Sequence, residues 1–242
     1  MAAPPGIGDA LVVAIRAGDL EAVRRQLGED PALASSPLGG AHGTRTALHV
    51  VADWPGYFPN GPQIVGMLIG AGADPNARSP GTRFAETPLH WAASSDDVDV
   101  AAALIDGGAD LAVPDGSIGT PLDNAIGYAC WHVARLLVTR GATVDKLWHA
   151  AALGMLARME ELAGHQPTAE ELSTAFWHAC AGGQRRAAEY LLTREADINW
   201  VPDDAHGTPL DAAGGRSTRR ENVVTWLRRQ GALPSTPGEG PR

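Results

Sequence analysis

The chain has 242 residues, 44% of them hydrophobic, and a formal net charge of −9 from 28 acidic side chains against 19 lysines and arginines. That apolar content excludes a disordered chain, and the acidic balance argues against nucleic acid or an anionic membrane as the main partner. Only two cysteines occur, Cys130 and Cys180, both in helical patterns, and there is neither a leader with a basic start nor a run of 18 apolar residues; a monomeric cytoplasmic protein without a membrane span is expected.

Residues 1–6 read as a flexible start. The first apolar-periodic unit follows, with Leu11, Ala14 and Ile15 before Ala17-Gly18, then Val23 and Leu27, ended by Asp30-Pro31. Thr46-Ala47-Leu48-His49 opens the second. Between its two helices lies 53–62, whose three prolines and two glycines forbid helix and which carries Trp54, Tyr57 and Phe58. Thr87-Pro88-Leu89-His90-Trp91-Ala92-Ala93 opens the third: a threonine that can cap, a proline at the first helical position, then apolar residues. Thr120-Pro121-Leu122-Asp123 repeats it 33 residues later, and Thr208-Pro209-Leu210-Asp211 once more.

Gly72-Ala73-Asp74, Gly107-Gly108-Ala109-Asp110 and Gly141-Ala142 close the second helices, where glycine supplies a left-handed cap. The fifth and sixth units are short. Gly141-Ala142 leads almost directly into Leu147-Trp148-His149-Ala150, and Thr168 with Glu171 spells a capping box opening a helix through Phe176 to Cys180. Trp200 falls at a connecting tip expected to be exposed, and Trp226 on an apolar stripe with Val223 and Leu227. The arginine pairs 185–186, 219–220 and 228–229 interleave with glutamates and read as solvated helix faces. The tail 234–242 is rich in Pro, Gly and Ser and is expected to be disordered.

The period, the Thr-Pro-Leu starts, the alanine pairs, the apolar second helices and the Gly-Ala-Asp ends resemble the ankyrin-repeat family over residues 7–233. The fingerless fifth unit is similar to variants in bacterial ankyrin proteins of uncharacterised role. The resemblance implies an all-α ankyrin-repeat solenoid of about seven helix-turn-helix units in one domain, with short β-hairpin fingers that are missing before units five and six. It also implies binding of other proteins through the finger tips and the concave face. His49 and His90 are then structural hydrogen-bonding residues, but Asp123, Asp211, Trp148 and Trp177 replace histidine at that position, which breaks the regularity of the finger-to-finger network.

In this fold the residue after the motif position faces the concave side. That column, with positions three or four further on, gathers Asp53, Trp54, Trp91, Asn124, Tyr128, His149 and His178, with Tyr57 and Phe58 able to cover one side. Such a set suits a protein or peptide groove, where Trp and Tyr are enriched. It also suits a small-molecule pocket, or plain aromatic packing where fingers are lost. The residues do not specify an enzyme: no nucleophile triad, phosphate loop or dinucleotide fingerprint occurs, and only His149 and His178 could serve as a general acid/base pair. Cys130 with His132, and His178 with Cys180, are two apart on helices and point to different sides, so no metal site and no cofactor is expected. The expected function is a protein-binding scaffold or adaptor using its concave face, the alternative a small-molecule-binding protein or unusual enzyme with its site in the central groove.

Overall fold

The structure is a computed structural model that describes residues 7–39, 45–79, 84–203, 205, 207–214 and 221–235. The flexible start at 1–6, the arginines at 219–220 and the tail from 236 lie outside the described residues. Fourteen α-helices among the described residues pair into the seven expected units, and the chain divides into two compact units, residues 1–142 and 143–242.

In the first compact unit the first helices of the repeats are α1 (Ile7–Ala17), α3 (Ala47–Ala52), α5 (Pro88–Ser95) and α7 (Pro121–Gly127). The second helices are α2 (Leu20–Glu29), α4 (Gly61–Gly70), α6 (Val98–Asp106) and α8 (Trp131–Thr139). First helices pack on first helices and second on second, giving two layers. The seam is apolar and close-packed: Leu48, Leu89, Leu122, Ile64, Leu68, Leu104 and Leu137 are all buried, and Ala92, Ala93 and Ala125 let neighbouring backbones approach. Truncating a leucine such as Leu89 to alanine here costs about 2–5 kcal/mol.

The second compact unit holds α9 (Leu147–Leu153) with α10 (Leu156–Ala163), α11 (Ala169–Ala181) with α12 (Arg185–Leu192), and α13 (Pro209–Gly214) with α14 (Glu221–Arg229). Its core is Met159, Phe176, Leu191, Leu227 and the run Ala150-Ala151-Ala152, with Trp226 buried as its spacing requires. Helix α11 has 13 residues, the extended first helix the capping box promised. Only seven residues separate α8 from α9, and five separate α10 from α11, so both fingers are absent as expected.

The β character of the remaining fingers is a correction. No strand occurs among the described residues; one antiparallel bridge joins Leu38 and Arg45. Among the described residues the later fingers carry hydrogen bonds from Ser79 N–H to the Glu86 carbonyl at 2.8 Å and from Gly116 N–H to the Gly119 carbonyl at 2.8 Å. Trp200 is likewise only partly exposed, with its indole nitrogen buried.

Glycine closes the second helices because of backbone geometry alone. Gly72, Gly108, Gly141 and Gly231 have φ of 101°, 96°, 100° and 86°, and a Cβ at any of them would meet nothing within 4 Å. The sixth repeat has Glu195 at this position, at φ 66°. No described helix is long and apolar enough to cross a membrane.

Candidate functional site

The motif residues build the frame of the site. Thr46 N–H donates to His49 Nδ1 at 3.3 Å and Thr87 N–H to His90 Nδ1 at 3.1 Å, and the two threonine hydroxyls lie 2.8 and 2.9 Å from the same nitrogens. Each Nε2 faces a carbonyl of the next finger, Glu86 for His49 and Gly119 for His90, both at 3.0 Å. A carbonyl only accepts, so Nε2 carries the proton, and Nδ1 is the acceptor that closes the capping box. Both rings are neutral, since burial pushes the His49 imidazole down to about 4 and holds His90 below the usual histidine range. These histidines staple successive repeats together and face no open site.

Asp123 keeps the local half of this arrangement, accepting from Thr120 N–H at 2.7 Å and from its hydroxyl at 2.9 Å. Asp211 does the same with Thr208, each contact at 2.9 Å, and also accepts from Ser235 N–H at 2.8 Å. In the second compact unit Trp177 keeps the other half. Its indole N–H donates to the Gly207 carbonyl at 3.0 Å, and Gly207 stands immediately before Thr208 as Gly119 stands before Thr120. The break expected at Trp177 is therefore not a break: indole supplies the donor that imidazole supplies elsewhere.

Four of the expected groove residues of the first compact unit meet. Asp53, Trp54, Trp91 and Tyr128 line a cleft of about 570 Å³, joined by Phe84, Glu86, Ser94, Ser95 and Ser117. Trp54 stands 78% exposed on the 53–62 loop and Tyr128 51% exposed at the end of α7, so the mouth of the cleft is aromatic. Trp91 forms its floor, edge-on to the His49 ring at 5.0 Å, with an indole N–H that is buried and has no hydrogen-bond partner among the described residues. The Tyr128 hydroxyl is 3.1 Å from Ser117 Oγ. Asp53 ties its rim, its Oδ2 accepting from Arg16 at 2.9 Å and Arg45 at 2.8 Å.

Asn124 belongs to the support of the cleft. It is fully buried, its Oδ1 accepting from Ile118 N–H at 3.1 Å and its Nδ2 donating to Glu86 Oε1 at 2.9 Å. Ser117 N–H donates to that same Glu86 oxygen at 2.8 Å. Sequence reasoning passed over Glu86 and Phe84; the one signal available was the position of Glu86 directly before Thr87, where a finger feeds the first helix. Tyr57 and Phe58 do not cover this cleft. The Tyr57 N–H donates to Asp97 Oδ2 at 2.5 Å and its hydroxyl to the Asp96 carbonyl, which turns both rings to a separate depression of about 290 Å³ beside α4 and α6.

His149 and His178 belong to the second compact unit and are packed against aromatic rings. The Trp148 ring lies 4.3 Å from His149 and 4.7 Å from His178, and Trp177 flanks His178 at 5.0 Å. His149 is 1% exposed, with the Asp145 carboxylate 3.7 Å from its Nδ1. Burial, with a smaller contribution from His149, pushes His178 down to about 3, so it stays neutral. Neither histidine lines the neighbouring opening of about 700 Å³, whose walls are Lys146, Trp148, His165, Glu170 and Thr174 among others. That opening occupies the level where the missing sixth finger would start. The two thiols are buried and unpaired; burial pushes Cys130 up to about 12 and Cys180 higher. Among the described residues no three potential metal ligands cluster.

A family model described as "Ankyrin repeats (3 copies)" matches residues 56–146. Among solved structures the chain is similar to the ankyrin repeat domain of Bcl-3, described as a unique member of the IkappaB protein family. The likeness has 25% sequence identity and a TM-score of 0.53, and covers 90% of this chain and 97% of that one. No curated protein sequence matches the chain. The family model, the structural likeness and the Thr-Pro-Leu starts that cap the repeats agree: residues 56–146 are ankyrin repeats, and the chain is similar to an ankyrin-repeat domain over 90% of its length.

Proposed function

We propose that the chain is a protein-binding scaffold or adaptor that takes a segment of its partner in the cleft of the first compact unit. The observation that carries this reading is the aromatic mouth: Trp54 and Tyr128 stand exposed around a floor made by Trp91, in a chain that is only 5% aromatic. Exposed Trp and Tyr around a half-buried Trp are the composition of an interaction hot spot, and an apolar patch left open marks a partner surface. Frame and site are separate, since the motif histidines hold the repeats and leave the cleft residues free for recognition. Two unpaired buried thiols support a reducing, cytoplasmic setting.

The test is selection of displayed peptides on the intact chain, with Trp54→Ala and Tyr128→Ala as counter-screens. Both side chains are largely exposed, so these changes leave the fold intact. Peptides enriched on the parent chain and lost on both variants support the proposal. Peptides that bind the parent and both variants equally, or no enrichment at all, defeat it.

A further inference from the structure

Glu86 sets the charge of the cleft. Its Oε1 is held by two donors, Ser117 N–H and Asn124 Nδ2, so the carboxylate is fixed in orientation. No lysine or arginine pairs with it among the described residues, whereas Asp53, at the rim, is matched by two arginines. A positioned carboxylate among Trp54, Phe84, Trp91 and Tyr128 has given up part of its hydration without a counter-ion among the described residues. The wall around it favours the same sign of guest. Aromatic faces carry negative potential and attract ammonium and guanidinium groups, the more so when water is excluded. Carboxylate and ring faces thus ask for one ligand chemistry, and a chain of net charge −9 adds a long-range pull on a basic partner.

We infer that the cleft accepts a basic side chain, lysine or arginine, from the bound partner segment, with Glu86 as its counter-ion and the aromatic side chains as its walls. The inference rests on the partner-binding reading above and names what that partner presents. The stem of the side chain packs on the indole rings while its cationic head reaches the carboxylate. Trp91 then serves as a packing surface, and recognition is set by charge at the end of an apolar slot.

Two measurements test this and separate its failure from that of the broader reading. The indole N–H resonances of Trp54 and Trp91 are followed by NMR at low salt while N-acetyl-lysine N-methylamide or its norleucine counterpart is added to the full chain. The lysine compound is expected to bind at least ten-fold more tightly, and Glu86→Gln to remove that preference. Glutamine keeps an Oε1 acceptor for Ser117 and Asn124, so the variant holds its fold, which an unchanged melting temperature verifies. Norleucine binding as well as lysine, a preference that survives Glu86→Gln, or no response to either compound overturns the inference. The second measurement is the sequence of the displayed peptides. A basic residue common to them supports it; peptides that depend on Trp54 but carry no lysine or arginine overturn it while leaving the partner-binding reading standing.

Discussion

Acidification from pH 7 to pH 5 should weaken the fold, and the buried histidines set the amount. In the unfolded chain His49 takes a proton near the ordinary 6.5; in the folded chain burial pushes it down to about 4. Between those values the unfolded state binds the proton and the folded state does not, so stability rises with pH across this window. The contribution is fully present above 6.5 and is lost as pH falls toward 4, reaching about 3 kcal/mol at the acid limit and about 2 kcal/mol by pH 5. In the second compact unit His178, pushed down to about 3, loses a similar ~2 kcal/mol over the same interval. His90 acts in the same direction. Most carboxylates stay ionised above pH 5, so the histidines dominate the change. Urea unfolding at pH 7 and 5 reads the total, and NMR titration of the ring Cε1–H signals assigns it. His49 and His178 should remain neutral down to pH 5 in the folded chain. Either ring titrating near 6.5, or urea midpoints unchanged between the two pH values, would refute the assignment of both as buried and neutral.

Three further outcomes follow from individual contacts. Trp177→Phe removes the donor to the Gly207 carbonyl while keeping a ring, and should cost about 1 kcal/mol in urea unfolding; no loss would mean the indole bond is idle. Glu195→Gly relieves a left-handed residue where four other repeats use glycine, and should stabilise the chain by about 1 kcal/mol, read as a rise in urea midpoint. Asp96→Ala removes the oxygen that accepts from the His132 and Val133 N–H groups at the start of α8, at a cost of about 1–2 kcal/mol, whereas Asp96→Asn keeps the acceptor and tolerates the left-handed backbone. Comparing the melting curves of the two variants checks both halves of that statement.

What was legible in the chain was whatever repeats within a few residues of itself. The Thr-Pro-Leu starts, the box from Thr168 to Glu171, the glycine caps and the short fifth and sixth repeats all act through neighbours three to five positions away, so spacing alone exposes them. The cleft was half legible: Trp91 follows from the column after the motif position, and Trp54 and Tyr128 from the positions three or four further on. The remainder depended on partners far along the chain. Asp53 is matched by Arg16, 37 positions earlier, and Tyr57 is turned aside by Asp96 and Asp97, about 40 positions later. Asn124 was drawn inward by Glu86, on the preceding finger. Trp177 was obscured for a different reason. Indole and imidazole share no letter, yet both offer one N–H at the reach needed for the next finger. His149 and His178 read as open because the missing fingers removed their cover, but the Trp148 ring lies against both.

The central claim is that recognition happens at the aromatic cleft of the first compact unit. Chemical-shift mapping of the labelled chain with a selected peptide tests it most directly. The account predicts that the strongest changes fall on Trp54, Phe84, Glu86, Trp91 and Tyr128, with the motif histidines His49 and His90 keeping their tautomers. Changes confined to the second compact unit, around Trp148 and His178, would contradict it.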